Sequence, residues 1–373
     1  MKHIYLIINE DRFFLSHRKE IAINAKKQGY EVTLIAKNTG QKEEVEKLGI
    51  NFIELPINPT GENIREELKT FFFLYKLYRK EKPNIVHHVG LKNILWGGLA
   101  AKLAGVQAVV NAVSGLGILF NQEKLSLKVK AILNVLRFSH HRKKLNVIFQ
   151  NNEDKELFLK YKIIKEDQIR FIKGSGVDLN IYSYTPEPQT LPIKIIFTAR
   201  MVVEKGTLIL IEAAELLRKK YEGKVQFLLC GGLSSNPKAI KENELKQCCD
   251  GNYIQWLGHR KDIKELLQQS HIVAFPSYYR EGVPKSLIEA TAIGRPIITT
   301  NSIGCKDTVE DGQNGFLVPI KNSQAVAEKL EILIENQVLR QKMGAYSRMI
   351  AERDFSLEQV VKTHLDIYKE LLK

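Results

Sequence analysis

Short β-branched and apolar runs at residues 4–9, 31–36, 51–55, 84–88, 107–112 and 146–150 alternate with stretches of helical periodicity. Strands this apolar must be covered on both faces, and a helix between successive strands returns the chain so that they pair in parallel. The pattern breaks at residues 182–192, Tyr-Ser-Tyr-Thr-Pro-Glu-Pro-Gln-Thr-Leu-Pro, where three prolines in seven positions suit neither a helix nor a central strand and predict a linker. It restarts at residues 193–199, 224–230, 253–256, 272–276 and 295–300. The expected fold class is α/β, with two doubly wound Rossmann-like domains facing across a cleft: residues 1–185, residues 186–355, and a C-terminal helix over 356–373 that packs back on the first domain. A length of 373 residues supports two such cores. Ligands of these sheets bind at the carboxyl ends of the strands, so the chemistry is sought in the loops there.

The first strand of the second half runs into Arg200-Met-Val-Val-Glu-Lys205-Gly206 and then a helical pattern. A guanidinium that binds oxygens in pairs and an ammonium that acts as a point charge, set beside a helix N-terminus, suit a diphosphate. Two exposed loop cations would show the same spacing. The next strand ends in Gly231-Gly232, where a ligand can approach the backbone. The richest segment is Phe275-Pro-Ser-Tyr-Tyr-Arg-Glu281-Gly282-Val283-Pro284-Lys285-Ser-Leu-Ile-Glu289. Pro284 suits the first turn of a helix, which leaves Glu281 in the loop before it and sets Glu289 about one and a half turns further in. Carboxylates beside free helix-start amides can meet sugar hydroxyls or a ribose diol, although acids there also favour the helix dipole without any ligand. No two aspartates lie two apart, so the Asp-x-Asp metal signature is missing, and no histidine or cysteine spacing suits zinc. No metal and no cofactor are expected.

These residues resemble the retaining glycosyltransferases of group 1, whose paired Rossmann domains form the GT-B fold. Glu281 and Glu289 with seven residues between them, Arg200 with Lys205-Gly206, and Gly294-Arg-Pro-Ile-Ile-Thr-Thr300 match that family, and the likeness covers nearly the whole chain. Phe14-Leu-Ser-His17-Arg18, Ser114-Gly115-Leu-Gly117 and Glu281-Gly-Val-Pro-Lys-Ser286 are similar to its bacterial branch acting on lipid-linked saccharides. The resemblance implies that Arg200 and Lys205 neutralise the departing diphosphate and that Glu281 meets the donor sugar. It further implies that Glu289 holds the ribose, that the loop of Gly282, Val283, Pro284 and Lys285 adds backbone contacts, that Gly231 lets the donor approach, and that Gly258 and Arg260 flank the base. On the acceptor side the candidates are His17, Lys92, Ser114 and Gly115, with Lys92 equally readable as an ordinary loop lysine. Two features depart from the family pattern. No glycine-rich loop follows the first strand, and Val113-Ser114-Gly115 stands where many members carry a histidine. No protein nucleophile is legible, so a front-face displacement is implied, with the departing phosphate taking the acceptor proton.

Of the formal net charge of +14, most lies in residues 1–185, which hold 30 Lys/Arg against 19 Asp/Glu, while residues 186–373 hold 26 against 23. That imbalance points to a polyanion, either nucleic acid or an acidic membrane. Without a helix-turn-helix, zinc spacing or aromatic-basic RNA motif, the nucleic-acid reading is disfavoured. A dinucleotide oxidoreductase lacks its G-x-G-x-x-G, whereas a nucleotide-sugar epimerase of similar architecture stays open. Residues 125–138 place apolar positions at helical spacing, and residues 120–145 hold seven Lys/Arg and one acid. A basic amphipathic helix suits a membrane surface, and an apolar core face with solvated lysines has the same pattern. The apolar stretch 94–120 is interrupted by Lys102, Gln107 and Asn111 and reads as a helix and a buried strand. Cys230, Cys248, Cys249 and Cys305 form no C-x-x-C pair, which suits a reduced compartment. The expected enzyme moves a hexose or N-acetylhexosamine, without metal and with retention, from a nucleotide-sugar, UDP-linked, to a polyprenyl-diphosphate-linked saccharide. It is expected in the cytoplasm, peripheral on the inner face of the cell membrane, with an anionic membrane surface and no nucleic acid as partner.

Overall fold

The computed structural model describes residues 1–59, 61, 63–116, 126–234 and 239–373. The chain divides into two compact units, Met1–Ser175 together with Glu358–Lys373, and Gly176–Leu357.

In the first unit the chain runs β1 (His3–Glu10), α1 (Asp11–His17), α2 (Lys19–Lys27), β2 (Glu31–Lys37), α3 (Lys42–Lys47), β3 (Asn51–Glu54), α4 (Ile64–Glu81), β4 (Ile85–Val89), α5 (Leu91–Ala104), β5 (Ala108–Ala112), α6 (Leu127–His140), β6 (Leu145–Phe149), α7 (Asn152–Lys160) and β7 (Ile169–Phe171). The strands pair in parallel in the order β3-β2-β1-β4-β5-β6-β7. Chain direction across the sheet reverses between β1 and β4, which opens a crevice at their carboxyl ends. β4, β5 and β6 are buried along their whole length, as strands covered on both faces must be. On one face α5 packs against α4 on one side and α6 on the other. Asn63 caps α4 by accepting from Arg65 N at 3.0 Å, and Lys82 ends the helix by turning left-handed at φ 48°.

α6 settles the two readings of the basic amphipathic segment. Its Val129, Leu133 and Leu136 are buried in the core of the unit, so the apolar stripe faces the protein itself. Residues 117–125, including Gly117 and the first part of that segment, lie outside the described residues. The apolar stretch after residue 94 divides into α5 and β5, and among the described residues no helix is long and apolar enough to cross a membrane.

Buried histidines knit this unit together. His88 bonds the Tyr78 hydroxyl at 3.1 Å and Asn111 Oδ1 at 2.8 Å, and Asn111 Nδ2 continues to His140 Nε2 at 2.9 Å. His88 is thus an interior strut, remote from solvent.

The second unit runs β8 (Ile193–Thr198), α8 (Thr207–Tyr221), β9 (Val225–Cys230), α9 (Glu242–Cys248), β10 (Ile254–Gly258), α10 (Ile263–Gln268), β11 (Ile272–Phe275), α11 (Lys285–Ile293), β12 (Ile297–Thr300), β13 (Gly315–Val318), α12 (Ser323–Glu335) and α13 (Gln337–Asp354). Its sheet is parallel in the order β10-β9-β8-β11-β12-β13, with the reversal between β8 and β11. The last helix, α14 (Leu357–Leu371), returns to the first unit, where Tyr368 OH meets His87 Nδ1 at 2.7 Å and Glu370 pairs with Arg170 at 2.6 Å.

The proline-rich stretch differs from the expected linker: it belongs to the second unit and is strapped down. Arg295, 1% exposed, donates to the carbonyls of Thr185 at 2.7 Å and Pro186 at 3.3 Å, while Arg340 pairs with Glu187 at 2.6 Å with both side chains nearly buried. Proline supplies no N–H, but the carbonyls around it stay available, and it is these that the arginine takes. The unit's ends lie side by side, since Val177 N donates to Phe355 O at 2.9 Å and Leu357 N to Val177 O at 3.0 Å.

Candidate active site

The crevice between β8 and β11 is where a doubly wound sheet receives its ligand, and two loops furnish it. The loop after β8 carries Arg200 and Lys205, and the loop after β11 carries Glu281. They meet: Lys205 Nζ lies 2.5 Å from Glu281 Oε2, with both side chains largely covered. The ammonium also sits 5.7 Å from the ring centroid of Phe275 and 5.6 Å from that of Tyr279, a setting that favours a cation. Ser277 Oγ lies 3.1 Å from Glu281 Oε1 and holds the carboxylate from the other side. Arg200 is exposed, and its side chain has no hydrogen bond or ion pair among the described residues.

Backbone packing fixes these loops. Gly206 turns at φ +85°, and a Cβ there would meet the Pro276 carbonyl oxygen at 2.1 Å, so at this point the two loops approach backbone to backbone. Tyr278 N donates to Glu204 O at 2.9 Å, and Ser302 Oγ reaches Ser277 O at 3.1 Å, binding the loops after β8, β11 and β12 into one surface.

Gly231 is required by the protein's own backbone. A Cβ at this position would lie 1.6 Å from the Ala199 carbonyl oxygen, so the close approach is made by the protein's own chain. Gly231 N donates to Gly258 O at 2.8 Å, which stitches the ends of β9 and β10 together. Gly231→Ala should therefore cost about 3 kcal/mol by forced displacement of backbone. Urea unfolding would show it, and a midpoint equal to that of the parent would refute the clash. Gly258 is left-handed at φ +67°, and Arg260 is paired with Asp262 at 2.5 Å.

Pro284 is the N-cap of α11, one position earlier than the first-turn place expected, with Lys285 as the first helical residue. Val283 is buried against Val177, Ile288 and Phe355, which anchors the Gly282–Pro284 turn. Glu289 is 9% exposed, hydrogen-bonded to the Tyr182 hydroxyl and 3.8 Å from Lys285 Nζ. Burial raises its carboxyl pKa, opposed by Lys285 and the Tyr182 hydrogen bond. Sequence reasoning missed Tyr182, Ser277 and Tyr279. Ser277 and Tyr279 stood in the quoted segment just past a strand end, whereas nothing local signals Tyr182.

The acceptor-side candidates fare unevenly. Lys92 is in the first turn of α5, not a loop, and its ammonium is engaged by Glu67 at 2.7 Å and by the carbonyls of Asn58 and Gly61 at 2.7 Å each. His17 ends α1, stacked on Phe13 at 4.2 Å with Nδ1 2.7 Å from Ser16 Oγ. A helix thus replaces the glycine-rich loop, and buried Asp11 at its start accepts from Thr39 N at 2.9 Å and Gln41 N at 3.0 Å. Ser114 and Gly115 follow β5, with Ser114 Oγ 3.9 Å from the Cβ position of Gly90 at the end of β4. Among the described residues no three His, Cys, Asp or Glu side chains cluster as a metal site.

Two doubly wound parallel units, the second with Lys205 and Glu281 paired at its switch point, make the architecture of the GT-B fold. The family models for glycosyl transferases group 1 and for glycosyl transferase 4-like proteins match residues 186–349 and 3–151. The chain belongs to the group 1 glycosyltransferases. A Campylobacter jejuni N,N'-diacetylbacillosaminyl-diphospho-undecaprenol alpha-1,3-N-acetylgalactosaminyltransferase is 27% identical, covering 96% of this chain and 98% of its own. An Escherichia coli UDP-Gal:alpha-D-GlcNAc-diphosphoundecaprenol alpha-1,3-galactosyltransferase is 26% identical, covering 92% and 90%. In fold the chain matches the crystal structure of a glycosyltransferase from Rickettsia africae with a TM-score of 0.78 at 24% identity, over 100% of this chain and 99% of the other.

Proposed function

We propose that this enzyme is a metal-independent, retaining transferase that moves a hexose or N-acetylhexosamine from a UDP-sugar to a polyprenyl-diphosphate-linked saccharide held at the inner face of the cell membrane. The observation that carries the reading is the Lys205–Glu281 pair at the β8/β11 crevice, with Arg200 on the same loop as Lys205. Two relatives that cover most of the chain bear names with diphospho-undecaprenol acceptors, one with a UDP-sugar, and these support the choice of substrates.

In this reading the bond from the anomeric carbon to the diphosphate breaks as the acceptor hydroxyl oxygen bonds to that carbon on the same face. The hydroxyl proton passes to the departing phosphate oxygen. Negative charge grows on the diphosphate, where Arg200 and Lys205 supply preorganised cations in place of a metal. Glu281 orients Lys205 and meets the sugar, and Glu289, with Tyr182, closes the ribose end.

A panel of nucleotide-sugars tested with chelator present decides between readings. At a concentration of about 100 times Kd the right donor adds about 2.7 kcal/mol of stability, read as a raised melting temperature. Transfer to a lipid-linked saccharide should follow from the same donor. Consumption of donor without acceptor would favour an epimerase, and a strict metal requirement would remove the cationic mechanism.

A further inference from the structure

Along α4, Arg65, Leu68, Lys69, Phe72, Lys76 and Arg79 fall on one stripe opposite the buried Thr70, Leu74 and Tyr78, and all six are exposed. Phe72 is 53% exposed and Ile64, at the start of the helix, 60%. Of the two acids in the first turn, Glu67 is turned to Lys92 and Trp96, and Glu66 is exposed beside the stripe. The pattern extends across the neighbouring helices. α4, α5 and α6 together carry ten Lys/Arg against three glutamates. Of the eight large apolar side chains exposed on the first unit among the described residues, six lie on these three helices: Ile64, Leu68, Phe72, Leu103, Leu127 and Phe138.

A crossover helix starts where the preceding strand ends. The first turns of α4 and α6, with Leu68 and Leu127, therefore stand at the carboxyl edge of the sheet, the edge that carries Ser114 and Gly115.

We propose that the outer face of α4, continued by the exposed tips of α5 and α6, is the surface on which the enzyme docks to an anionic phospholipid bilayer. Leu68 and Phe72 enter between headgroups while Arg65, Lys69, Lys76 and Arg79 meet lipid phosphates. Large aliphatic tips interleaved with cations match the boundary between headgroups and acyl chains, whereas a nucleic-acid backbone offers such tips nothing to bury. This inference rests on the reading that the acceptor is held in a membrane, and it assigns the contact to exposed side chains rather than to the apolar stripe of α6, which the core already covers.

Sedimentation of the full chain with vesicles tests it. The parent should bind equimolar phosphatidylglycerol–phosphatidylcholine vesicles at least tenfold better than phosphatidylcholine alone. Leu68→Glu with Phe72→Glu, and separately Lys69→Glu with Lys76→Glu, should each lower that binding at least tenfold. Lys27→Glu with Lys47→Glu, an equal charge change outside the layer, should bind like the parent. Transfer to a detergent-soluble acceptor should stay at parental rate in every variant, so loss of docking and loss of the catalytic reading are told apart. Equal binding to both vesicle types, or layer variants that bind like the control, would overturn the proposal and turn the face over to a protein partner.

Discussion

Lys205→Ala is expected to lower the transfer rate by about 10²–10³-fold with the fold intact, since it removes a preorganised cation from the place where charge develops. The ammonium acts chiefly in the transition state, so kcat and kcat/KM should fall together while KM changes little. Glu281→Ala should cost a comparable factor by a different route. It frees the partly covered ammonium that lies 2.5 Å from its carboxylate, and in the proposed reading it also removes a contact to the sugar. Because the two side chains touch, the double variant should lose less than the product of the single losses. Circular dichroism and melting temperature check that the fold survives. Near-parental turnover in both single variants would remove Lys205 and Glu281 from the mechanism.

Acidification should destabilise the protein well before carboxylates titrate. Burial pushes the pKa of His88 down to about 3, of His364 to about 3 and of His140 to about 4, and that of His87 well below its ordinary value. Above about pH 6.5 these imidazoles are neutral in both states and contribute no pH dependence. As pH falls from there the unfolded chain binds protons that the folded chain refuses, so stability drops by about 1.4 kcal/mol per pH unit for each histidine. At pH 5 that is about 2 kcal/mol each. The loss continues until the folded pKa values are reached. Buried Glu289, with its raised pKa, acts in the opposite direction as one group against several. Urea midpoints at pH 7.5 and pH 5 test this, and equal midpoints would contradict it. His364→Leu should flatten the slope by one histidine's share, because among the described residues its only hydrogen bond is to the Val360 carbonyl at 2.7 Å and its buried Nε2 has no partner.

The central strands were legible because their sequences are apolar throughout, as a doubly covered strand requires. β7 and β13 were not. Ile169–Phe171 is three residues long with an exposed end, and Gly315–Val318 opens on a glycine, so neither carries the apolar run that marks a buried strand. Both are edges of their sheets, where one side needs no partner. At the site, Arg200, Lys205 and Glu281 stood out by type and by their places after strands. That Lys205 and Glu281 touch follows from the β8/β11 neighbourhood, which is a property of topology. Lys92 read as a loop lysine because its partners, on α4 and in the loop before it, are far from it in sequence. The segment around Tyr182 misled because its prolines say what backbone it cannot adopt and nothing of the arginines that hold its carbonyls.

Because α14 belongs to the first unit, that unit is discontinuous in the chain, and the whole of the second unit, Gly176–Leu357, lies between its two parts. Tyr368 and His364, which face His87 in its interior, come from the far side of that insertion. A cut in the second unit would therefore leave the first unit's core complete only through non-covalent contact with α14.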